Sequence, residues 1–267
     1  MGKQTTWERA LVTGASEGIG EAFARELASR GTGLVIVARR GKVLDRLAAE
    51  LESKHGVEVE VLAGNLTNPA LIEEVEGRLA ADERPIDLLV NNAGGASQHR
   101  PFLELDRDRL ADDASLNSLS LLRLTHAAAQ AMARRGHGNV INVSAGIAFY
   151  PLPGAAAYGA SKAFVNSLTE ALDYELREKG VRLTAICPGF TRTGAQRRLG
   201  MNVEWVPEAL WMEPDEVAVA ALRAAARGRP VSSLSRIGAL QAFLGRHLPR
   251  RLWLPSVART QLRLIEQ

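Results

Sequence analysis

Six short runs of apolar residues recur along the chain, and helix-length stretches separate them. The runs are Ala10-Leu11-Val12-Thr13, Gly33 to Ala38, Val57 to Leu62, Ile86 to Val90, Asn139 to Val143 and Val181 to Cys187. Their hydrophobicity is continuous rather than alternating, which marks strands covered on both faces, as in a parallel sheet. The stretches that carry helix are Gly20 to Arg30, Lys42 to His55, Pro69 to Asp82, roughly Arg107 to Arg135, and Ala155 to Lys179. Strand–helix–strand repetition with right-handed crossovers restricts such a chain to a Rossmann-type, doubly wound α/β fold with three layers, α/β/α.

Doubly wound sheets often run to the 267 residues found here as one unit. No linker, repeat or low-complexity segment interrupts the chain, so residues 1–267 are expected to form a single domain. After Gly189 the alternation weakens, and Trp205, Trp211 and Trp253 appear among Pro and Leu. A substrate lid over about 190–213 and a C-terminal cap over about 231–267 are expected there.

Composition narrows the function classes. The single cysteine, Cys187, excludes an intramolecular disulfide and fits a reducing cytoplasm. The five histidines lack ligand spacing, so no metal is expected. No apolar stretch reaches the length of a bilayer span, and no apolar run precedes the first strand, so neither an integral membrane segment nor a cleavable signal is expected. Aromatics make up 5% of the residues, which argues against a stacking surface. The net charge of +3 is unevenly placed: Leu222 to Gln267 holds nine Arg against one Glu, so the remainder is acidic. The basic end reads as a solvated helical end packed on the domain or a partner; peripheral membrane contact is the other reading. No nucleic-acid partner is expected.

Chemistry enters at the first turn. The first strand runs into Thr13-Gly14-Ala15-Ser16-Glu17-Gly18-Ile19-Gly20. Gly14 permits the tight turn, Gly18 lets a pyrophosphate approach the backbone, and Gly20 allows close helix–strand packing. The next helix offers free N–H groups and a positive dipole end to phosphates. The second strand ends Val37-Ala38-Arg39-Arg40, where an acidic residue would hold the ribose 2′-hydroxyl of NAD. Ala38 stands there instead, and guanidinium groups bind a phosphate in a fork. NADP(H) is therefore the expected cofactor, with Arg39 as main contact and Arg40 as support. Glu17 works against this preference.

Tyr158 and Lys162 stand at i and i+4, on one face of a helix. A phenol ionises near pH 10, and a neighbouring ammonium together with an oxidised nicotinamide is expected to lower that value until the group exchanges protons near neutrality. Ser144, which ends the fifth run, is expected to donate to the substrate oxygen.

These motifs together resemble the short-chain dehydrogenase/reductase family: TGxxxGxG, Asn91-Asn92-Ala93-Gly94, Ser144 with Tyr158-x-x-x-Lys162, and Cys187-Pro188-Gly189 followed by Thr191 and Thr193. The resemblance runs from about Ala10 to Thr193. It implies a catalytic set of Asn117, Ser144, Tyr158 and Lys162, with Asn117 holding a water that links Lys162 to solvent. It implies cofactor contacts at Gly14, Ser16, Glu17, Gly18, Ile19, Gly20, Arg39, Arg40, Asn65, Leu66, Asn92, Ala93, Gly94, Tyr158, Lys162, Pro188, Gly189, Thr191 and Thr193. Asn65 stands where the family usually has the Asp that holds the adenine. The resemblance further implies a homodimer or homotetramer through the two long helices.

The expected activity is reduction of a carbonyl, or oxidation of a secondary alcohol, on a hydrophobic substrate such as a β-keto acyl, polyketide-like or steroid ketone. Ser144, Ile147, Tyr158, Trp205 and Trp211 are the expected substrate contacts. The alternative is a non-catalytic NADP(H)-binding regulatory protein on the same fold.

Overall fold

A computed structural model describes residues 7–96, 98, 101–194, 203, 204, 206–247, 249, 251, 254 and 255. Seven parallel strands form one sheet in the order β3-β2-β1-β4-β5-β6-β9. They are β1 Arg9–Thr13, β2 Gly33–Ala38, β3 Val59–Ala63, β4 Leu88–Asn91, β5 Gly138–Val143, β6 Val181–Cys187 and β9 Val231–Ser233. A separate pair, β7 Phe190–Thr191 and β8 Trp211–Met212, lies in the region expected as a lid. Strand order reverses between β1 and β4, and ligands bind beyond the strand carboxyl ends at such a switch point.

Both faces of the sheet are covered, which is why its strands read as unbroken apolar runs. Ala10, Val12, Leu34 and Ile36 face a core completed by α1 (Gly18–Ser29), α2 (Gly41–His55) and α7 (Pro214–Ala226). Leu11, Val35, Val37 and Leu89 face the opposite core, with α3 (Pro69–Ala80), α5 (Leu121–Arg135) and α6 (Ala156–Leu176). None of the described helices is long and apolar enough to cross a membrane.

Two sequence expectations change. The helix expected over about Arg107 to Arg135 is α4 (Arg107–Ala114), a π-helical turn (Ser115–Ser120) and then α5. The region read as a cap contributes β9, which continues the sheet from β6 before α8 (Arg236–His247). Only three residues of β9 pair, so its apolar run was too short to read as a strand.

Candidate active site

The β1–α1 turn is built to admit a phosphate. Gly14 has φ +68° and its amide donates to Val37 O over 2.7 Å, folding the loop onto the end of β2. A Cβ at Gly14 would lie 2.7 Å from Asn92 Nδ2, and one at Gly20 would fall on the Gly14 carbonyl oxygen. The N-terminus of α1 has no side-chain cap, since Glu17 makes no capping bond. Its first amides remain available to an anion. The donor set thus fits the pyrophosphate of a dinucleotide. A Cβ at Gly18 would meet Thr193 Cγ2 at 3.1 Å, so the segment after β6 closes over this loop.

Thr13 was not among the residues singled out from sequence, yet it joins both cofactor loops. Its hydroxyl accepts from the amides of Asn92 and Ala93, each at 3.0 Å, and donates to Val90 O. Asn92 Nδ2 donates back to Thr13 O and Gly14 O. Behind this turn, Asn91 Nδ2 donates to Asn142 Oδ1 and Thr125 Oγ1, and Asn142 Nδ2 donates to Thr169 Oγ1. The signal for this network was Asn91 and Asn142 standing in otherwise apolar stretches of β4 and β5.

At the end of β2, Arg39 is exposed and makes no hydrogen bond or ion pair among the described residues. Arg40 is engaged: it donates to Ser16 O and Oγ and pairs with Glu17 at 3.0 Å. Asn65 spends its Oδ1 on Thr67 N, leaving its amide N–H groups free. Leu66 is buried in the core and its carbonyl accepts from Ser120 Oγ, so it offers less to an adenine than expected.

Tyr158 is half-buried on α6 and its hydroxyl has no hydrogen-bond partner among the described residues. It lines a cavity with Gly95, Leu105, Asp113, Asn117 and Ala156. Lys162 is buried, its Nζ lies 5.6 Å from the Tyr158 ring centroid, and it donates to Val143 O over 2.9 Å. Burial, with a smaller contribution from Cys187, pushes the Tyr158 phenol up to about 12. Burial likewise brings the Lys162 ammonium down to about 8. Desolvation penalises both charged forms, so it opposes ionisation of the phenol and protonation of the lysine alike.

Asn117 sits in the π-helical turn. Its Nδ2 donates to Gly95 O and Asp113 O, both at 2.7 Å, and its Oδ1 accepts from Gly95 N. Both amide protons are therefore committed to backbone. A Cβ at Gly94 would collide with Asn117 Oδ1 and would stand 3.6 Å from Lys162 Nζ, so this loop needs glycine. The Ser144 hydroxyl does not face the cavity. It donates to Lys162 O over 3.1 Å, inside the β5–α6 interface.

Beyond β6, Pro188 O accepts from Gly146 N, and Thr191 Oγ1 donates to Gly189 O. Trp211 packs against Phe190 with ring centroids 5.7 Å apart, and the Arg192 guanidinium lies 4.9 Å from its centroid. Ile147 is half-buried, with Cγ1 3.5 Å from where a Cβ on Gly159 would stand. Trp205, expected at the substrate, lies outside the described residues.

Comparisons with known proteins agree with this arrangement. Residues 8–204 match the model of the short chain dehydrogenase family. Human 17-beta-hydroxysteroid dehydrogenase type 3 is 33% identical over 75% of this chain and 66% of its own length. Very-long-chain 3-oxoacyl-CoA reductase of Macaca fascicularis is 33% identical over 70% of this chain. The match covers 60% of that relative, so the chain spans less than two thirds of the length of either curated protein. A solved short-chain dehydrogenase from Sphingobium yanoikuyae in complex with NADPH is 37% identical. It superposes with a TM-score of 0.80, covering 96% of this chain and 94% of that one.

Proposed function

Since the chain belongs to the short-chain dehydrogenase family, we propose that it is an NADP(H)-dependent oxidoreductase. It interconverts a ketone and a secondary alcohol on a hydrophobic substrate, with Tyr158 as general acid and base. One observation carries this reading: an unpartnered phenol lines an open cavity one helical turn from a buried lysine, beside a loop shaped for pyrophosphate.

When bound, the cofactor supplies a hydride to the carbonyl carbon or accepts one from the alcohol. Tyr158 donates its proton to the substrate oxygen in reduction and takes it back in oxidation. The Lys162 ammonium stabilises the phenolate left behind, because an opposite charge nearby favours the charged form. Lys162 Nζ has spent one of its three N–H groups on Val143 O, leaving two for the ribose hydroxyls. Asn117 fixes the loop at Gly95 against the π-helical turn and so shapes the wall beside Tyr158.

The preference for NADP(H) rests on the free Arg39 guanidinium, the nearby Arg40 and the absence of a carboxylate at Ala38. The NADPH-bound neighbour supports it. The names of the curated relatives point to large apolar ketones, and the half-buried Phe190, Trp211 and Ile147 suit such a substrate.

Absorbance of NADPH during incubation with a steroid ketone, a long 3-oxoacyl thioester and a bulky aryl ketone tests the reading. At least one is reduced, and Tyr158→Phe lowers that rate by about 10³-fold, within the range for a lost general acid, while NADPH still binds. NADPH binding with no turnover on any ketone, or a Tyr158→Phe variant as fast as the parent, refutes it.

A further inference from the structure

The end of β5 grips one lysine at two points. Ser144 Oγ donates to the Lys162 carbonyl over 3.1 Å, and Lys162 Nζ donates to the Val143 carbonyl over 2.9 Å. Both bonds are buried. Consecutive residues of one strand end therefore hold both the backbone and the side-chain tip of the same residue.

A hydroxyl carries a single proton, and that of Ser144 is spent on the backbone of α6. The residue is 3% exposed and does not line the cavity on which Tyr158 opens. Asn142, two positions earlier, faces α6 as well, through its bond to Thr169 Oγ1. Side chains alternate along extended backbone, so Asn142 and Ser144 share the α6 side. Ala145 continues extended, with φ −159° and ψ 161°. The next side chain, turned to the other side, is thus a methyl group, and Gly146 after it has none.

We propose that Ser144 is a positioning residue that fixes Lys162 between β5 and α6, and that it gives no hydrogen bond to the substrate oxygen. The inference rests on the Tyr158–Lys162 reading above. The two roles differ in size and in kind. A hydroxyl aimed at a developing oxyanion is worth about 10²–10³ in kcat. A clamp acts through the lysine, so its loss is smaller and alters how that lysine titrates. Freed from the grip, the ammonium reaches water and moves back up toward its ordinary range.

The experiment is steady-state ketone reduction with NADPH across neutral to alkaline pH, using whichever ketone of the panel the parent reduces fastest. Ser144→Ala is expected to lower kcat by less than about tenfold, well short of the loss of an oxyanion donor, and to shift the alkaline limb of kcat/KM upward. Ser144→Thr keeps the hydroxyl and is expected to return the limb toward the parent position. If the alanine variant does not fold, Ser144→Cys, similar in size and a weaker donor, carries the same readings. A loss of about 100-fold or more, or a limb that stays in place, overturns the proposal. Tyr158→Phe is measured in parallel. If it keeps turnover, the acid assignment fails and the inference with it. If it is inactive while Ser144→Ala loses about 100-fold, the inference alone fails.

Discussion

At the scale of single residues, the reaction depends on how burial treats two neighbouring groups. Tyr158 and Lys162 are pushed in opposite directions, the phenol up to about 12 and the ammonium down to about 8. In the proposed mechanism ketone reduction needs Tyr158 protonated and Lys162 charged, so the lysine would set the upper limit in the free enzyme. Its charged form is complete well below pH 8 and is lost as pH rises through that value. For reduction, kcat/KM, which reports free-enzyme ionisations, is therefore expected to be level near neutrality and to fall above about pH 8, by tenfold per unit. Alcohol oxidation uses the phenolate and should rise with pH instead. A reduction profile flat to pH 10 would separate Lys162 from the rate. The i, i+4 spacing put the pair on one helix face, but it gave no measure of how strongly burial opposes ionisation of the phenol. Spacing reports proximity, whereas the shift is set by desolvation, which depends on the packed surroundings. For the same reason Ser144 was read as facing the substrate: its position was legible, its rotamer was not.

At the scale of elements, the glycine loop and the end of β2 form one electrostatic unit. Glu17, in the loop, pairs with Arg40 at 3.0 Å, while Arg39 stands free and exposed. The two arginines are therefore unequal. On the proposed NADP(H) reading Arg39 would meet a 2′-phosphate without breaking a bond, whereas Arg40 shares its guanidinium with Glu17. Arg39→Ala is expected to raise the KM for NADPH about tenfold, the equivalent of one charge-assisted hydrogen bond, and to leave that for NADH unchanged. Glu17→Gln removes the competing charge and should lower the KM for NADPH. Equal shifts for both cofactors would place the arginines away from the phosphate. Elements were the most legible level in the sequence, because a strand buried on both faces leaves a continuous apolar run. Two elements escaped for physical reasons. The π-helical turn at Ser115–Ser120 keeps helical periodicity on both sides, so nothing in the pattern marks it. β9 pairs along one edge through three residues, Val231, Ser232 and Ser233, too few and too polar to stand out.

At the scale of the whole molecule, one buried carboxylate ties the layers together on α6, the helix that also carries Tyr158 and Lys162. Asp173 is fully buried near the C-terminal end of that helix. It accepts from Arg182 and from the Leu183 amide on β6, and from Arg177 one helical turn on. Arg182 in turn donates to Gly228 O, just beyond α7. Helix, sheet and the opposite layer are thus joined through a single side chain. Arg177 and Arg182 are each a third or more exposed, so losing the carboxylate costs chiefly the hydrogen bonds it accepts, the buried Leu183 amide among them, about 1–3 kcal/mol. Asp173→Ala is therefore expected to lower the midpoint of thermal unfolding by roughly 2–12 °C at neutral pH, at about 2–4 °C per kcal/mol for a chain of this size. Burial raises the Asp173 carboxyl, but Arg182, the Leu183 amide and Arg177 outweigh it and hold the group below its ordinary range. A carboxylate depressed on folding stabilises above its unfolded value, near 3.9, and loses that stabilisation as pH falls through the folded value. The gap in melting temperature between parent and variant should accordingly be widest at neutral pH and should close as the solution is acidified below about pH 4. A gap that persists unchanged into acid would mean that the variant suffers from the space left by the side chain rather than from the loss of its charge.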